Sequence, residues 1–254
     1  MTASLSTLEI ARLTRQIDLP EIGLAGQQQL KNATVAISRV GGVGGTVAAA
    51  LARAGIGHLI IVHGGKVDAQ YLNRWQLATA ADQDQVTVDV FGKHLRQINP
   101  TMQITSYHEN ISPARAPILL ASADVIVDGA PLFEERYAIN AAAIAQRTPL
   151  VSGAMYGHEG YVTTIIAGQT PCLACLYPHK PDYWVDHQVF PVLGACPGMI
   201  GSLMAMEVIK LIVGFGQLLT RRLWHMNLLT YDMNLLTVER NRHCTVCATV
   251  EEIP

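Results

Sequence analysis

A doubly wound α/β fold whose sheet turns antiparallel toward the C-terminus is predicted by three features of the sequence. Short apolar runs alternate with helical stretches up to residue 152, a glycine-rich turn joins the first run to an alanine-rich helix, and the alternation stops beyond Gly160. Continuous apolar runs of this kind suit parallel strands buried on both faces.

In chain order, Ser6 to Leu19 predicts a short amphipathic helix and Gly26 to Lys31 a second. The strand Thr34 to Ser38 follows, then the turn formed by Gly41, Gly42, Gly44 and Gly45, a helix over Thr46 to Ala54, and the strand His58 to Val62. Glycine serves such a turn because it permits a left-handed backbone and close helix packing, whether or not phosphate binds there. The pattern repeats as a helix from Gln83 to Ile98, strands at Met102 to Tyr107 and Asp124 to Val127, a helix from Phe133 to Gln146 and a strand at Pro149 to Ser152. Tyr161 to Ile166 and Leu223 to Leu229 predict antiparallel strands on either side of a helix from Met199 to Val213. One domain over residues 1–254 is expected, with N-terminal helices at 1–32, a nucleotide-binding-type part at 33–155 and a cysteine-bearing antiparallel part at 156–254.

Composition narrows the function classes. With 50% hydrophobic and 15% charged side chains in 254 residues, the chain can bury a large core. Eighteen basic against 20 acidic residues, with no basic run, argue against nucleic acid and anionic membrane as partners. Residues Met1 to Arg15 hold no apolar signal-like region and no run reaches membrane-spanning length, so a reducing cytoplasm is expected.

Four of the five cysteines form two Cys-x-x-Cys pairs, Cys172/Cys175 and Cys244/Cys247. Paired thiolates at this spacing suit tetrahedral zinc, and four cysteines leave no open coordination position, so the expected role is a structural clamp rather than redox or catalytic chemistry. Two disulfides are the alternative.

Several further segments share one origin. Arg12-Leu-Thr-Arg15-Gln, Gly26-Gln-Gln-Gln-Leu-Lys31, Gly41-Gly-Val-Gly44, Ala54-Gly-Ile-Gly-His58, Leu72-Asn73-Arg74, Ile98-Asn-Pro100, Val127-Asp-Gly129, the cysteine pairs and the stretch from Gly201 to Lys210 resemble the ubiquitin-activating-enzyme-like ThiF/MoeB/HesA family. The resemblance runs from about residue 12 to 248. It implies a Rossmann-like mononucleotide-binding sheet, a structural zinc and a dimer. The activity it implies is ATP- and Mg²⁺-dependent adenylation of the C-terminal carboxylate of a ubiquitin-like sulfur carrier or precursor peptide, often followed by sulfur transfer.

Set against that resemblance, four positions depart from the family pattern. Arg39 stands where the family has the first glycine of its turn, His63 where it has the acidic ribose acceptor, Thr87 where it has a phosphate-binding lysine and Pro131 where it has a Mg²⁺-linked aspartate. Two arginines persist. Arg74, beside Asn73, matches the family arginine that contacts the triphosphate in the same subunit, and Arg15 matches the one inserted across the dimer interface into the neighbour's site. Arg15 also suits a surface ion pair on an amphipathic helix. Arg39 either plugs the phosphate cradle or supplies a substitute cation, and the amides of Gly41, Gly42 and Gly44 remain suited to an oxyanion. Lys66 and Lys93 are other substitute cations, or solvated surface lysines.

Cys196, at the start of the predicted helix toward Lys210, is read as a thiol activated by the helix dipole or as a buried apolar cysteine. His158, His179, His187 and His225 show no metal-ligand spacing, and Tyr183-Trp184 suits either a peptide channel or a packing anchor. Retention of Arg15 beside the losses at 87 and 131 predicts a non-adenylating subunit that binds a carrier or peptide C-terminus and pairs with itself or a competent paralogue. An active adenylyltransferase with relocated phosphate ligands is the alternative. A dinucleotide-dependent oxidoreductase is disfavoured by His63, which removes the expected ribose partner.

Overall fold

The computed structural model describes residues 4–182 and 190–251. Eight strands form one sheet in the order β3-β2-β1-β4-β5-β6-β7-β8. The parallel half comprises β1 (Thr34–Ser38), β2 (His58–Val62), β3 (Gln103–Tyr107), β4 (Val125–Asp128) and β5 (Leu150–Tyr156). Antiparallel pairing then adds β6 (Glu159–Ile165), β7 (Arg222–Asn227) and β8 (Asp232–Thr237).

Helices cover the sheet because its strands are apolar on both faces. One face packs Val35, Ile37, Leu59 and Ile61 against α3 (Gly42–Ala54), α4 (Thr87–Ile98) and α8 (Ala195–Val213). The other packs Ala36, Ile60 and Ile126 against α5 (Ala116–Leu119), α6 (Phe133–Gln146) and α7 (Leu173–Leu176). Helices α3 and α8 approach closely at Gly201, where an added Cβ would stand 2.6 Å from the Thr46 Cβ and 2.7 Å from the Val43 carbonyl oxygen. Any larger residue there would force the helices apart.

At the N-terminus, α1 (Thr7–Ile17) begins with a capping box in which Ser6 and Glu9 satisfy each other's backbone N–H groups. Glu9 also pairs with Lys31 of α2 (Gly23–Asn32) and accepts a hydrogen bond from Thr101, which ties the first helix to the body of the protein.

Several boundaries differ from expectation for local reasons. The glycine turn is itself the first turn of α3, so the helix starts at Gly42 rather than Thr46. The predicted helix from Gln83 starts at Thr87, because a capping box between Thr79 and Asp82 closes a separate 3₁₀ turn at Ala80–Asp82. Helix α8 starts at Ala195 instead of Met199, with Pro197 in its first turn, where a missing N–H costs nothing. By length and composition α8 would pass for a membrane span, contrary to the expectation that no run reaches that length; its buried residues Ile200, Met204 and Val208 account for that apolarity through contacts with α3 and β5. Strand β8, exposed along its whole length, was not expected from the sequence at all.

Candidate functional site

The order of the parallel strands reverses at β1, between β2 and β4, and a cleft of about 490 Å³ opens at the C-terminal ends of these strands. Such a switch point is where open α/β sheets take ligands, because the loops there diverge to opposite faces. Its walls come from Arg39 and the turn at Gly41 to Val43, from His63, from Tyr71, Arg74 and Trp75, from Gly129 to Leu132 and from Val192 and Pro197.

Arg39 adopts a left-handed backbone, φ 56°, which explains why glycine suits this position. Its guanidinium makes a two-pronged ion pair with Glu135 in the first turn of α6, Nε to Oε2 at 2.8 Å and Nη2 to Oε1 at 2.6 Å. It therefore lines the cleft as a neutralised pair and not as a free cation. Of the cradle amides, that of Gly41 donates to the Arg39 carbonyl at 2.7 Å and is not available to a ligand, a correction to the sequence reading. Gly42 and Gly44 lie in the first turn of α3, whose N–H groups lack intrahelical acceptors. A Cβ at Gly41 would stand 3.2 Å from Trp75 Nε1, and one at Gly42 3.3 Å from Arg74 Cγ, so glycine brings this backbone hard against the opposite wall.

That wall is a chain of stacked groups. His63 meets Trp75 edge-on at 5.2 Å, Trp75 stacks on Tyr71 at 4.5 Å, and the Arg74 guanidinium lies 5.2 Å from the Tyr71 ring centre. Burial, with Arg39 and His108 nearby, depresses the His63 pKa to about 3, so its imidazole is neutral at pH 7. Its Nδ1 is buried with no hydrogen-bond partner. Arg74 donates to the Gln70 carbonyl and to Asn73 Oδ1, and partial burial lowers its pKa somewhat. Asn73 in turn donates to the Val192 carbonyl, joining this wall to the one opposite.

Beneath the Gly129 to Leu132 loop, Asp128 accepts hydrogen bonds from the Ala130 amide, Arg136 and Ser152, while Arg136 also donates to the Tyr161 hydroxyl. Arg136 is 1% exposed, and neither it nor Glu135 was singled out in the sequence, where both fall inside the predicted helix Phe133 to Gln146. No aspartate or glutamate is among the described residues lining the cleft, and Pro131 occupies the position expected to carry one. Such a donor set does not fit a magnesium-bound triphosphate.

Other predicted residues fall elsewhere. Thr87 is fully buried with an unpartnered hydroxyl, and Lys66 and Lys93 are exposed and do not line the cleft. Arg15 is exposed on α1 and does not line the cleft of its own chain. Cys196 is 2% exposed and burial raises its thiol pKa, which contradicts the thiolate expected from the helix dipole and agrees with the buried alternative. His158, His179 and His225 join no metal-ligating cluster among the described residues. Tyr183, Trp184 and His187 lie outside the described residues.

Cys172, Cys175, Cys244 and Cys247 converge as predicted, with all four sulfurs within 4.8 Å of one another. The Sγ separations of 3.6 Å for Cys172 to Cys244 and 3.5 Å for Cys175 to Cys247 rule out disulfides and fit the roughly 3.8 Å edge of a tetrahedron with zinc-to-sulfur bonds of about 2.3 Å. The cluster is compatible with a structural metal. The Leu173 amide beside it is held by Asn140 Oδ1 at 2.9 Å.

The ThiF family model matches residues 13–246. The vegetative HesA protein of Trichormus variabilis is 42% identical over 246 residues, covering 97% of this chain and 92% of that one. A sulfur carrier protein adenylyltransferase of Thermus thermophilus is 34% identical, covering 94% of this chain and 91% of the relative. Among solved structures, E. coli MccB with MccA-N7isoASN matches with a TM-score of 0.83 at 20% identity over 93% of this chain and 74% of MccB. PaaA matches with a TM-score of 0.80 at 21% identity over 95% of this chain and 77% of PaaA. These two likenesses bear on the fold alone.

Proposed function

The chain belongs to the ThiF family, and from that premise we propose that it binds the C-terminus of a ubiquitin-like sulfur carrier or precursor peptide as a non-adenylating subunit, in a dimer with itself or with a competent relative. One observation carries this reading: the described lining of the cleft holds no carboxylate, and its loop arginine is committed to Glu135. Carboxylate adenylation concentrates negative charge at the reacting phosphate and depends on cations and metal ligands placed beforehand. Here Arg74 is the lining cation left without a carboxylate partner among the described residues. The exposed Arg15 on α1 is supported as a donor to a neighbouring subunit's site, since it does not reach its own. A zinc ion in the four-cysteine cluster and a cytoplasmic location complete the reading.

A second reading, an active adenylyltransferase, is favoured by the 34% identical Thermus thermophilus relative, a sulfur carrier protein adenylyltransferase. Pyrophosphate exchange separates the two. The isolated chain should show none above background. Mixing it with a lysine- and aspartate-bearing relative should raise that relative's rate, and Arg15→Ala should remove about ten- to a thousandfold of the gain. Exchange by the isolated chain would establish the second reading, and an unchanged rate with Arg15→Ala would end the trans-acting role.

A further inference from the structure

Resting on the reading of a zinc ion in the four-cysteine cluster, we propose that Asn140 of α6 is a positioning residue for that metal: its side-chain amide donates to the Cys172 thiolate and fixes that sulfur in the tetrahedron. One end of the amide is already assigned. Asn140 Oδ1 accepts the Leu173 N–H at 2.9 Å, and Leu173 opens α7, where a backbone N–H has no intrahelical acceptor. An oxygen is required at that end, so the amide has one orientation and Nδ2 takes the other branch.

That Nδ2 is the group left to explain. Asn140 is 0% exposed, and its Nδ2 is buried without a hydrogen bond. An amide N–H so placed destabilises the fold unless an acceptor completes it. The Cys172 sulfur is within its reach, and Asn140 favours the ionised form of that thiol against the opposing influence of Cys175 and of burial. A thiol accepts weakly, whereas a thiolate makes the stronger charge-assisted bond. Metal binding takes the proton from Cys172 and so supplies the acceptor. The amide is arranged for the loaded cluster.

Charge is the second argument. Four thiolates around one divalent ion leave a net anion, and Cys172, Cys244 and Cys247 are all buried. A buried anion needs donors aimed at it, and the groups that orient a metal's ligands supply them. The second knuckle has the Arg240 guanidinium beside it, donating to the Cys247 and Val250 carbonyls. Asn140 meets the first knuckle from α6. Tyr137, one turn earlier on the same helix, also holds that region, through its hydroxyl to the Tyr177 carbonyl at 2.9 Å, a bond to backbone and not to sulfur.

Zinc affinity of the full chain, measured by competition with a chromophoric chelator, tests this together with the absorption spectrum of the cobalt(II)-loaded protein. Asn140→Leu should weaken zinc binding by about ten- to a hundredfold, as loss of an outer partner of a metal ligand does. It should also move the sulfur-to-cobalt charge-transfer band to lower energy, because a thiolate without its donor gives up an electron more readily. Tyr137→Phe removes another α6 contact near the same knuckle and should leave both the affinity and the band in place. In the unaltered chain loaded with NMR-active cadmium, one Asn140 side-chain amide proton should couple to the metal through the sulfur, a measurement that requires no variant to fold. Affinity and band unchanged by Asn140→Leu, equal losses in the two variants, or no coupling between Asn140 and cadmium would each overturn the proposal. Less than about half an equivalent of zinc in the unaltered chain would remove the zinc reading and this inference with it; a full equivalent held with no effect of Asn140 would remove this inference alone.

Discussion

Arg39, in the cleft wall, and Glu135, 96 residues apart in sequence, meet through both carboxylate oxygens. The pair joins the loop after β1 to the first turn of α6. It also keeps a non-glycine residue in the left-handed region at φ 56°, a conformation that costs about 1 kcal/mol on its own. An attraction between loop and helix thus holds a backbone that steric repulsion disfavours.

Arg39→Gly should relieve that strain but leave the Glu135 carboxylate, 7% exposed, without its partner, at a cost of about 3 kcal/mol. The expected balance is a loss of about 2 kcal/mol in urea unfolding. Adding Glu135→Gln should recover at least half of it. If Arg39→Gly alone is neutral or stabilising, the pair does not hold the loop.

The cysteine cluster predicts one equivalent of zinc per chain in protein purified without chelator, measured by elemental analysis. Cys244→Ser should reduce it below half an equivalent and lower the thermal midpoint by about 5–10 °C, the shift that a loss of about 2–3 kcal/mol produces in a chain of this size. Less than half an equivalent in the unaltered protein would show that the four thiols pack without a metal.

The parallel half of the fold was legible because its signals are local. Thr34–Ser38 and His58–Val62 are apolar runs closed at both ends by polar or turn residues, and the strands formed over those same residues. The cysteine pairs were legible for the same reason. Strand β8 was not, since Met233, Leu235 and Leu236 are about half exposed and give no one-sided burial pattern. Of the cleft, Gly41, Gly42 and Arg74 could be placed by motif, whereas Gly44 and Asn73, expected there too, do not line it. The roles of Glu135 and Arg136 could not be, because helical spacing places a charge on a face and says nothing of a partner on a distant loop.

His63 predicts a pH dependence. Its folded pKa of about 3 lies below the ordinary 6.5, so between these values the unfolded chain binds the extra proton. The stability it contributes is full above pH 6.5 and falls as the pH drops, by up to about 1.4 kcal/mol per unit. Burial of His58 gives a slope of the same sign, so the comparison is between proteins and not between pH values alone. Urea midpoints at pH 7.5 and 5.5 should converge in His63→Phe relative to the unaltered chain. Equal slopes in the two proteins would show that His63 is not held neutral.

Cys172 and Cys244 are 72 residues apart, and between them lie α8, β7 and β8. The knuckle at 172 leaves the ribosome long before its counterpart at 244, so during synthesis its two thiols stand open while the parallel strands can already pair. For that interval the nascent chain carries half a thiol cluster, exposed to oxidation and to metals that two sulfurs hold weakly. Only when residue 247 emerges can the four sulfurs come together. Assembly of the four-cysteine cluster is therefore timed by translation of its last cysteine knuckle.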